Sequence, residues 1–210
     1  MYKWTSDANM PQAETRYIVD ISGGLPTILC EVNDVDSSLT KSYFYADAQI
    51  LKQVQCTTPA KSYYYIHDRL GSIRQVVDAN GTVVNSYTYN PFGEDISAAD
   101  CIESIYNPFK FTGQWYDAEI GQYYLRARMY DPQLMRFTAR DPAVGQYNEP
   151  LTLHKYLYCQ NHSVNRVDPT GLYTGYDDAA FIAAGAISGV IGQLISDFVS
   201  GEWSSIGTLA

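Results

Sequence analysis

An internal repeat is the feature of this sequence that most restricts its fold. When the chain is shifted by 44 places, residues 32–45 lie over residues 76–89, and both copies end in Tyr-x-Tyr. Each copy has two runs rich in β-branched and aromatic residues on either side of a turn segment, a pattern typical of a β-hairpin. In the second copy Asn80-Gly81 favours a tight type I′ turn, because both residues tolerate positive φ. The repeat predicts a series of antiparallel hairpins.

Short strand candidates continue beyond the repeat, and turn signals separate them. The candidates are residues 62–67, 73–77, 82–89, 110–112, 122–129 and 136–138. The turn signals include Leu70-Gly71, Asn107-Pro108, Ile120-Gly121 and Asp131-Pro132. Short strands that are interrupted so regularly predict a mainly β fold built from antiparallel sheet.

Charge and residue spacing argue against several kinds of site. The net charge of −9 disfavours a nucleic-acid partner, since such binding depends mainly on clustered Lys and Arg. The four cysteines are widely spaced and form no Cys-x-x-Cys motif, so we expect no metal site. No glycine-rich run has the spacing of a phosphate-binding loop, and we expect no cofactor. The N-terminus lacks the apolar core of a secretory signal, and we interpret the chain as a piece of a longer protein.

Two Asp-Pro steps lie near an abrupt change in composition. They are Asp141-Pro142 and Asp168-Pro169, and the second opens the run Asp-Pro-Thr-Gly-Leu at residues 168–172. All 14 Lys and Arg residues and 17 of the 19 tyrosines lie at or before position 172, and the last 38 residues carry four acids and no base. A sequence that changes character beside two carboxylates indicates a processing junction.

Three stretches of the chain resemble a known family. Residues 63–94, 111–142 and 149–172, with the motifs YYLRARMYDP, RDP and DPTGL, resemble the tyrosine-aspartate repeats and associated core domain of Rhs proteins. The resemblance covers residues 16–172. It implies partial repeat hairpins over 1–61, the core domain over 62–172 and a variable tail over 173–210. The expected fold is part of a spiralling β shell with a short C-terminal helix.

The resemblance also implies a function. Rhs proteins, like the related C components of insecticidal toxin complexes, enclose a C-terminal toxin, and their core domain acts as an aspartic self-protease that cuts after DPxGL. In this chain the paired carboxylates would be Asp141 and Asp168, which lie 27 positions apart. The cut would fall between Leu172 and Tyr173. The resemblance therefore implies an autoprotease that acts once, in cis.

Three further residues have roles in this expected reaction. Pro169 fixes φ and Gly171 admits positive φ, so both would hold the bond in one bent conformation. Arg140 matches the basic residue that the family has beside the first aspartate. It would orient a carboxylate or polarise the scissile carbonyl, in the way that a fixed cation stabilises an oxyanion.

Each of these residues also has a structural interpretation. Asp-Pro is a common turn opener, and Asp131-Pro132 is interpreted as such a turn. Arg140 is equally compatible with a structural ion pair, and the tyrosines with strand packing or a sugar-binding surface. The alternative function is therefore a non-enzymatic repeat scaffold for cell-surface or carbohydrate contact.

The tail has its own pattern. Apolar residues from Ile187 to Phe198 recur with helical spacing, which predicts a helix within residues 179–199. Such a helix packs against the shell or contacts a membrane, although Gln193 and Asp197 interrupt a full span. The expected partners are the rest of the shell and the toxin region, with an immunity protein as a further candidate. The expected location is secreted or at the bacterial cell surface.

Overall fold

Two antiparallel sheets make up the part of the chain that the structure describes. The computed structural model describes residues 2–3, 15–21, 26–46, 49–96, 101–145 and 147–172. The first sheet has nine strands: β1 (Tyr2–Lys3), β2 (Thr15–Asp20), β3 (Thr27–Asn33), β4 (Leu39–Ala46), β5 (Gln49–Gln55), β6 (Lys61–His67), β7 (Ile73–Asp78), β8 (Val83–Ser86) and β9 (Ile102–Glu103). The second has four: β10 (Trp115–Asp117), β11 (Gln122–Leu125), β12 (Arg128–Asp131) and β13 (Arg136–Phe137). The mainly β fold predicted from the sequence is confirmed.

Each strand pairs with its neighbours in sequence, so both sheets are simple meanders. The register shifts within five of the strand pairs of the first sheet, for example between Phe44 and Tyr45 and between Ile66 and His67. Such bulges bend a strand and increase its right-handed twist. Repeated along a meander, they curl the sheet, as a shell requires.

The turns of the repeats share one hydrogen-bond pattern. Asp68, Asp78 and Asn90 each accept, through Oδ1, the backbone N–H groups of the residues two and four positions later. The glycine three positions after each opener has positive φ, with Gly81 at 82°. The predicted type I′ turn is wrong, because it requires positive φ at Asn80 as well, and Asn80 does not adopt it. The side chain of Asp78 closes the turn instead.

Tyrosines fill the core between the two sheets. The buried members on the first sheet are Tyr43, Tyr63, Tyr65, Tyr87 and Tyr89. Ring contacts then cross to the second sheet, with centroids 5.1 Å apart for Tyr43 and Phe109 and 6.1 Å apart for Phe111 and Tyr123. Tyr130 continues the series to Tyr158 at 4.4 Å. The paired Tyr-x-Tyr motifs of the repeat are therefore core residues.

Three predicted strands differ from the structure. Residues 110–112 were expected to be a strand, but Phe111–Gly113 forms a 3₁₀ turn with Thr112 at a φ of 49°. The candidate 122–129 is two strands, because Arg126 and Ala127 turn the chain. The candidate 82–89 gives only β8 and a bridge at Tyr89.

The tail and the predicted domain boundaries need separate statements. Residues 173–210, with the predicted helix over 179–199, lie outside the described residues. Among the residues that are described, no helix is long and apolar enough to cross a membrane. The division at 61 and 62 falls inside β6, and it remains a prediction about repeat type.

Candidate functional site

A tight turn between β11 and β12 supports the candidate site. Leu125 pairs with Arg128, so Arg126 and Ala127 form a two-residue connection. Arg126 has a φ of 61°, in the left-handed region that glycine occupies most readily. The sequence carries no turn residue here, which is why a continuous strand was expected. The contacts that hold this turn come from a distant part of the chain.

The run at residues 168–172 lies across this turn. Three successive carbonyl groups of the run accept hydrogen bonds from three successive residues of the turn. The pairs are Arg126 Nη1 to Pro169 O at 2.6 Å, Ala127 N to Thr170 O at 3.2 Å, and Arg128 Nε to Gly171 O. The run is therefore fixed along its backbone, and the fixed part ends one residue before Leu172.

Gly171 permits this close approach. Its φ is 72°, and a Cβ atom at this position would overlap the carbonyl oxygen of Leu125 and lie 3.2 Å from Arg128 N. A larger residue would therefore have both a strained backbone and a collision with the turn. This is a physical reason for glycine in the fourth position of the run.

Asp168 holds the run from its other side. Its Oδ1 accepts the backbone N–H groups of Gly171 at 2.8 Å and Leu172 at 3.2 Å, and the hydroxyl of Thr170 at 3.3 Å. The residue is only 2% exposed. The turn-opening interpretation of Asp168 thus describes one of its carboxylate oxygens, and Oδ2 faces elsewhere.

Arg128 brings the two predicted carboxylates together. Its Nη2 lies 2.9 Å from Oδ2 of Asp141 and 3.9 Å from Oδ2 of Asp168. These two oxygens therefore lie no farther apart than the two distances added together, 6.8 Å. Asp141, like Asp168, uses its Oδ1 for a local turn and accepts the N–H of Ala143 at 2.8 Å. Both aspartates open turns, and both direct the remaining oxygen at one guanidinium.

The guanidinium of Arg128 is itself held on several sides. It stacks over the ring of Phe137 at 3.6 Å, and its side chain is only 3% exposed. Its Nη1 donates to the carbonyl of Lys155 at 3.3 Å, which also accepts the N–H of Asp141 at 2.9 Å. Burial lowers the pKa of Arg128, and the two neighbouring carboxylates oppose that shift. One cation therefore faces two anions in a mostly buried site.

An open groove of about 430 Å³ borders this site on the side of Asp141. Its lining residues are Arg140, Asp141, Pro142, Ala143, Val144, Gly145, Leu153 and Lys155. Solvent in the groove reaches Asp141, whereas Asp168 is enclosed. Arg140 is exposed in this lining, and the cation that contacts both carboxylates is Arg128. The role expected of Arg140 remains a prediction.

The expected cleavage junction is described only on one side. Leu172 is 37% exposed and anchored through its N–H, while Tyr173 lies outside the described residues. Within the described ranges, no group of three His, Cys, Asp or Glu side chains is arranged to hold a metal ion.

Sequence reasoning missed Arg126 and Arg128. Both lie in the motif YYLRARMYDP, which was interpreted as strand. The available signal was a pair of arginines one residue apart in an otherwise apolar and aromatic stretch. A buried arginine requires a carboxylate or carbonyl partner, but the partners lie about 40 residues away in sequence, so the pairing was not evident.

Comparison with known proteins follows from this geometry. The family model of the teneurin YD-shell matches residues 24–164. This chain belongs to the teneurin YD-shell family. The match includes Arg128 and Asp141 and ends before Asp168. It confirms the tyrosine-aspartate repeat resemblance.

Two relatives show the kind of protein in which this YD shell occurs. The chain is 32% identical over 175 residues to the tRNA3(Ser)-specific nuclease WapA of Bacillus spizizenii, covering 81% of this chain and 7% of the relative. It is 29% identical over 183 residues to the toxin protein Tse5 of Pseudomonas aeruginosa, covering 81% of this chain and 13% of that protein. The chain thus spans a small part of each relative's length. It is a shell segment of the kind found in Rhs-type, polymorphic-toxin-like proteins.

Solved structures support the same fold. The YD shell matches the crystal structure of TcdB2-TccC3 without its hypervariable C-terminal region, with a TM-score of 0.53 and 18% identity. The match covers 80% of this chain and 9% of that one. A match at this identity supports the β-shell fold and leaves activity to the residues of the site.

Proposed function

We propose that this chain is the C-terminal shell segment of an exported Rhs-type toxin and that it releases a C-terminal toxin region by cutting itself after Leu172. The observation that carries the proposal is the convergence of Asp141 and Asp168 on Arg128, at a maximum oxygen separation of 6.8 Å. Arg128 also binds the carbonyl group of Gly171, next to the expected cut. The carboxylates and the bond thus belong to one small cluster.

The unequal surroundings of the two carboxylates suggest their roles. Asp141 borders the groove, where water is available, and it has the shorter contact with Arg128. In the proposed reaction Asp141 takes a proton from the water that attacks the Leu172 carbonyl carbon. Asp168, protonated in the reactive form, donates a proton to the departing nitrogen of Tyr173, because two carboxylates that work together share one proton.

Arg128 has a distinct place in this scheme. An opposite charge beside a carboxylate favours its ionised form, so Arg128 stabilises two anions where the reaction needs one. The contact with Asp168 is the longer of the two ion pairs at 3.9 Å, and we propose that it opens when the reactive form is reached. The guanidinium is then available to the oxygen that becomes negative during hydrolysis.

The enclosure of a toxin region has support from the sheet. Side chains that alternate with the buried tyrosines present an uncharged, partly apolar surface, with Phe44 51%, Tyr64 43% and Ile66 45% exposed. Such a surface suits contact with a largely unfolded polypeptide. An immunity protein, if the toxin region has one, would act on residues beyond the shell, and contact of residues 179–199 with a membrane remains part of the proposal.

Mass spectrometry of the purified chain tests the cut directly. We expect a break between Leu172 and Tyr173 that disappears in Asp141→Asn and in Asp168→Asn. Asparagine keeps the Oδ1 acceptor of each turn and removes the charge that faces Arg128. Asp131→Asn is the matched control, since Asp131 also precedes proline and its Oδ1 accepts the N–H groups of Gln133 and Leu134.

Each outcome of this test has a meaning. Cutting that persists in both variants rules out the carboxylate pair. A break at Asp168-Pro169 indicates ordinary acid lability of that bond. An intact wild-type chain, also when joined to its native N-terminal shell, excludes self-cleavage.

The second candidate function is a non-enzymatic scaffold for cell-surface or carbohydrate contact. One observation favours it: Lys52 lies between two exposed aromatic rings, 5.7 Å from the centroid of Phe44 and 5.4 Å from that of Tyr64. Exposed aromatic platforms of this kind bind sugar rings. A glycan array probed with the wild-type chain and with Tyr64→Ala separates this function from self-cleavage.

A further inference from the structure

Arg126 is an unfavourable residue for its position. Its φ of 61° would suit glycine, and its guanidinium is largely buried, so that burial lowers its pKa. Its Nε has no hydrogen-bond partner among the described residues. Backbone strain and buried, incompletely paired groups persist where the surrounding structure has a use for them.

The contacts of Arg126 indicate what that use is. Its Nη1 donates to the carbonyl of Pro169 and to Oε1 of Gln114, both at 2.6 Å. Gln114 in turn donates to the carbonyl of Thr112 at 3.1 Å. Arg126 therefore links the run at residues 168–172 to the 3₁₀ turn at Phe111–Gly113, a second fixed point beyond the β11–β12 turn.

We propose that Arg126 is a positioning residue for self-cleavage, which sets the register of the run so that the bond after Leu172 lies beside the two carboxylates. The inference rests on the proposed function. Arg126 holds the first of the three bound carbonyls, Arg128 the last, and Ala127 N–H the one between. Because Arg126 touches neither Leu172 nor a catalytic carboxylate, its effect on the reaction passes through the backbone of the run.

The three contacts differ in what they control. Arg128 also pairs with both carboxylates, so its loss would change charge and position together. Arg126 changes position alone, since neither carboxylate forms an ion pair with it in the described structure. Releasing Pro169 leaves the run held near its end by Arg128 and Asp168 and free to shift at its start. A displacement of about 1 Å is enough to slow an oriented reaction roughly 100-fold.

The test compares Arg126→Met, Arg126→Lys and Arg69→Met in the full chain. Arg69 is the matched control, because its Nη2 donates to the carbonyl of Val164 at 3.0 Å and thus holds a different turn. The time course of cutting and the position of the cut are measured by mass spectrometry. Exchange of the Gly171 and Leu172 amide hydrogens, compared with those of β11, reports on the run itself.

We expect Arg126→Met to cut about 100-fold more slowly, with a second cut site near Leu172 and faster exchange at Gly171 and Leu172 while β11 stays protected. Arg126→Lys retains a donor and is expected to recover part of the rate, and Arg69→Met to cut like the wild type. A mere structural role would slow cutting only in proportion to unfolding, without a new cut site. If Arg126→Met does not fold, Arg126→Lys carries the comparison, with about tenfold slower cutting expected.

Two results overturn the inference, and they differ from failure of the proposed function. If the wild type cuts and both Arg126 variants cut at its rate and position, Arg126 does not position the run, and self-cleavage stands. The same holds if the loss of rate matches Arg69→Met. If the wild type is never cut, the proposed function fails and this inference fails with it.

Discussion

Replacing Gly171 with alanine perturbs the contact between the run and the β11–β12 turn at its closest point. A Cβ at this position would overlap the carbonyl oxygen of Leu125. Gly81 is the matched control, because it has a similar positive φ of 82° and nothing lies within 4 Å of a Cβ built there. The backbone strain is thus common to Gly171→Ala and Gly81→Ala, and only the first substitution adds a collision.

The expected magnitudes follow from these two terms. Left-handed backbone costs alanine about 1–2 kcal/mol relative to glycine, and this is the whole cost at Gly81. At Gly171 a collision absorbed within the packed structure adds about 1–3 kcal/mol. If the run moves away instead, it loses three hydrogen bonds worth about 0.5–1.5 kcal/mol each. Either route destabilises Gly171→Ala by about 1–4 kcal/mol more than Gly81→Ala.

Urea unfolding measures the difference. With an m value of about 2 kcal/mol/M, an additional 2 kcal/mol lowers the midpoint by about 1 M. Self-cleavage is measured in parallel, and we expect it to be lost in Gly171→Ala and kept in Gly81→Ala. Equal midpoints for the two variants would refute the reasoning, because they would mean that the run does not pack against Leu125.

Three further predictions concern buried charge. Arg128→Met leaves two carboxylates without their cation, so we expect a loss of about 3–5 kcal/mol at pH 7 that shrinks at pH 5 as the acids become protonated, measured by urea unfolding at both pH values. Lys110→Met removes the cation 3.5 Å from Asp95, whose pKa burial already raises, so the deficit, about 1 kcal/mol relative to Lys61→Met, should grow from pH 4 to pH 7; a constant deficit contradicts this. Burial lowers the pKa of His67, so the unfolded chain binds the proton first and stability should fall as pH drops through about 6.5; His67→Leu should flatten that part of a melting-temperature profile, and an unchanged slope would exclude His67 as its origin.

The hairpins could be predicted because their signals are local. Asp78 and Gly81 close a turn through their own side chain and backbone, and alternating tyrosines define the buried face. The type of turn was wrong for an equally local reason. The Asp78 carboxylate binds the N–H groups of the turn and removes the need for positive φ at Asn80.

The candidate site could be predicted only in part. Asp141 and Asp168 were identified by resemblance, and the structure brings their carboxylates together. Arg126 and Arg128 were not identified, because what makes them functional candidates is contact with residues about 40 positions later. The turn between them has no sequence signal, since tertiary hydrogen bonds stabilise a conformation that local propensity disfavours.

The most direct test of the central claim is the intact mass of the wild-type chain and of Asp141→Asn after identical incubation. The account predicts a wild-type fragment that ends at Leu172 and an uncut Asp141→Asn chain that remains folded. A fragment ending at Leu172 in both proteins, or in neither when the native N-terminal shell is present, would contradict the claim that these carboxylates cut the chain.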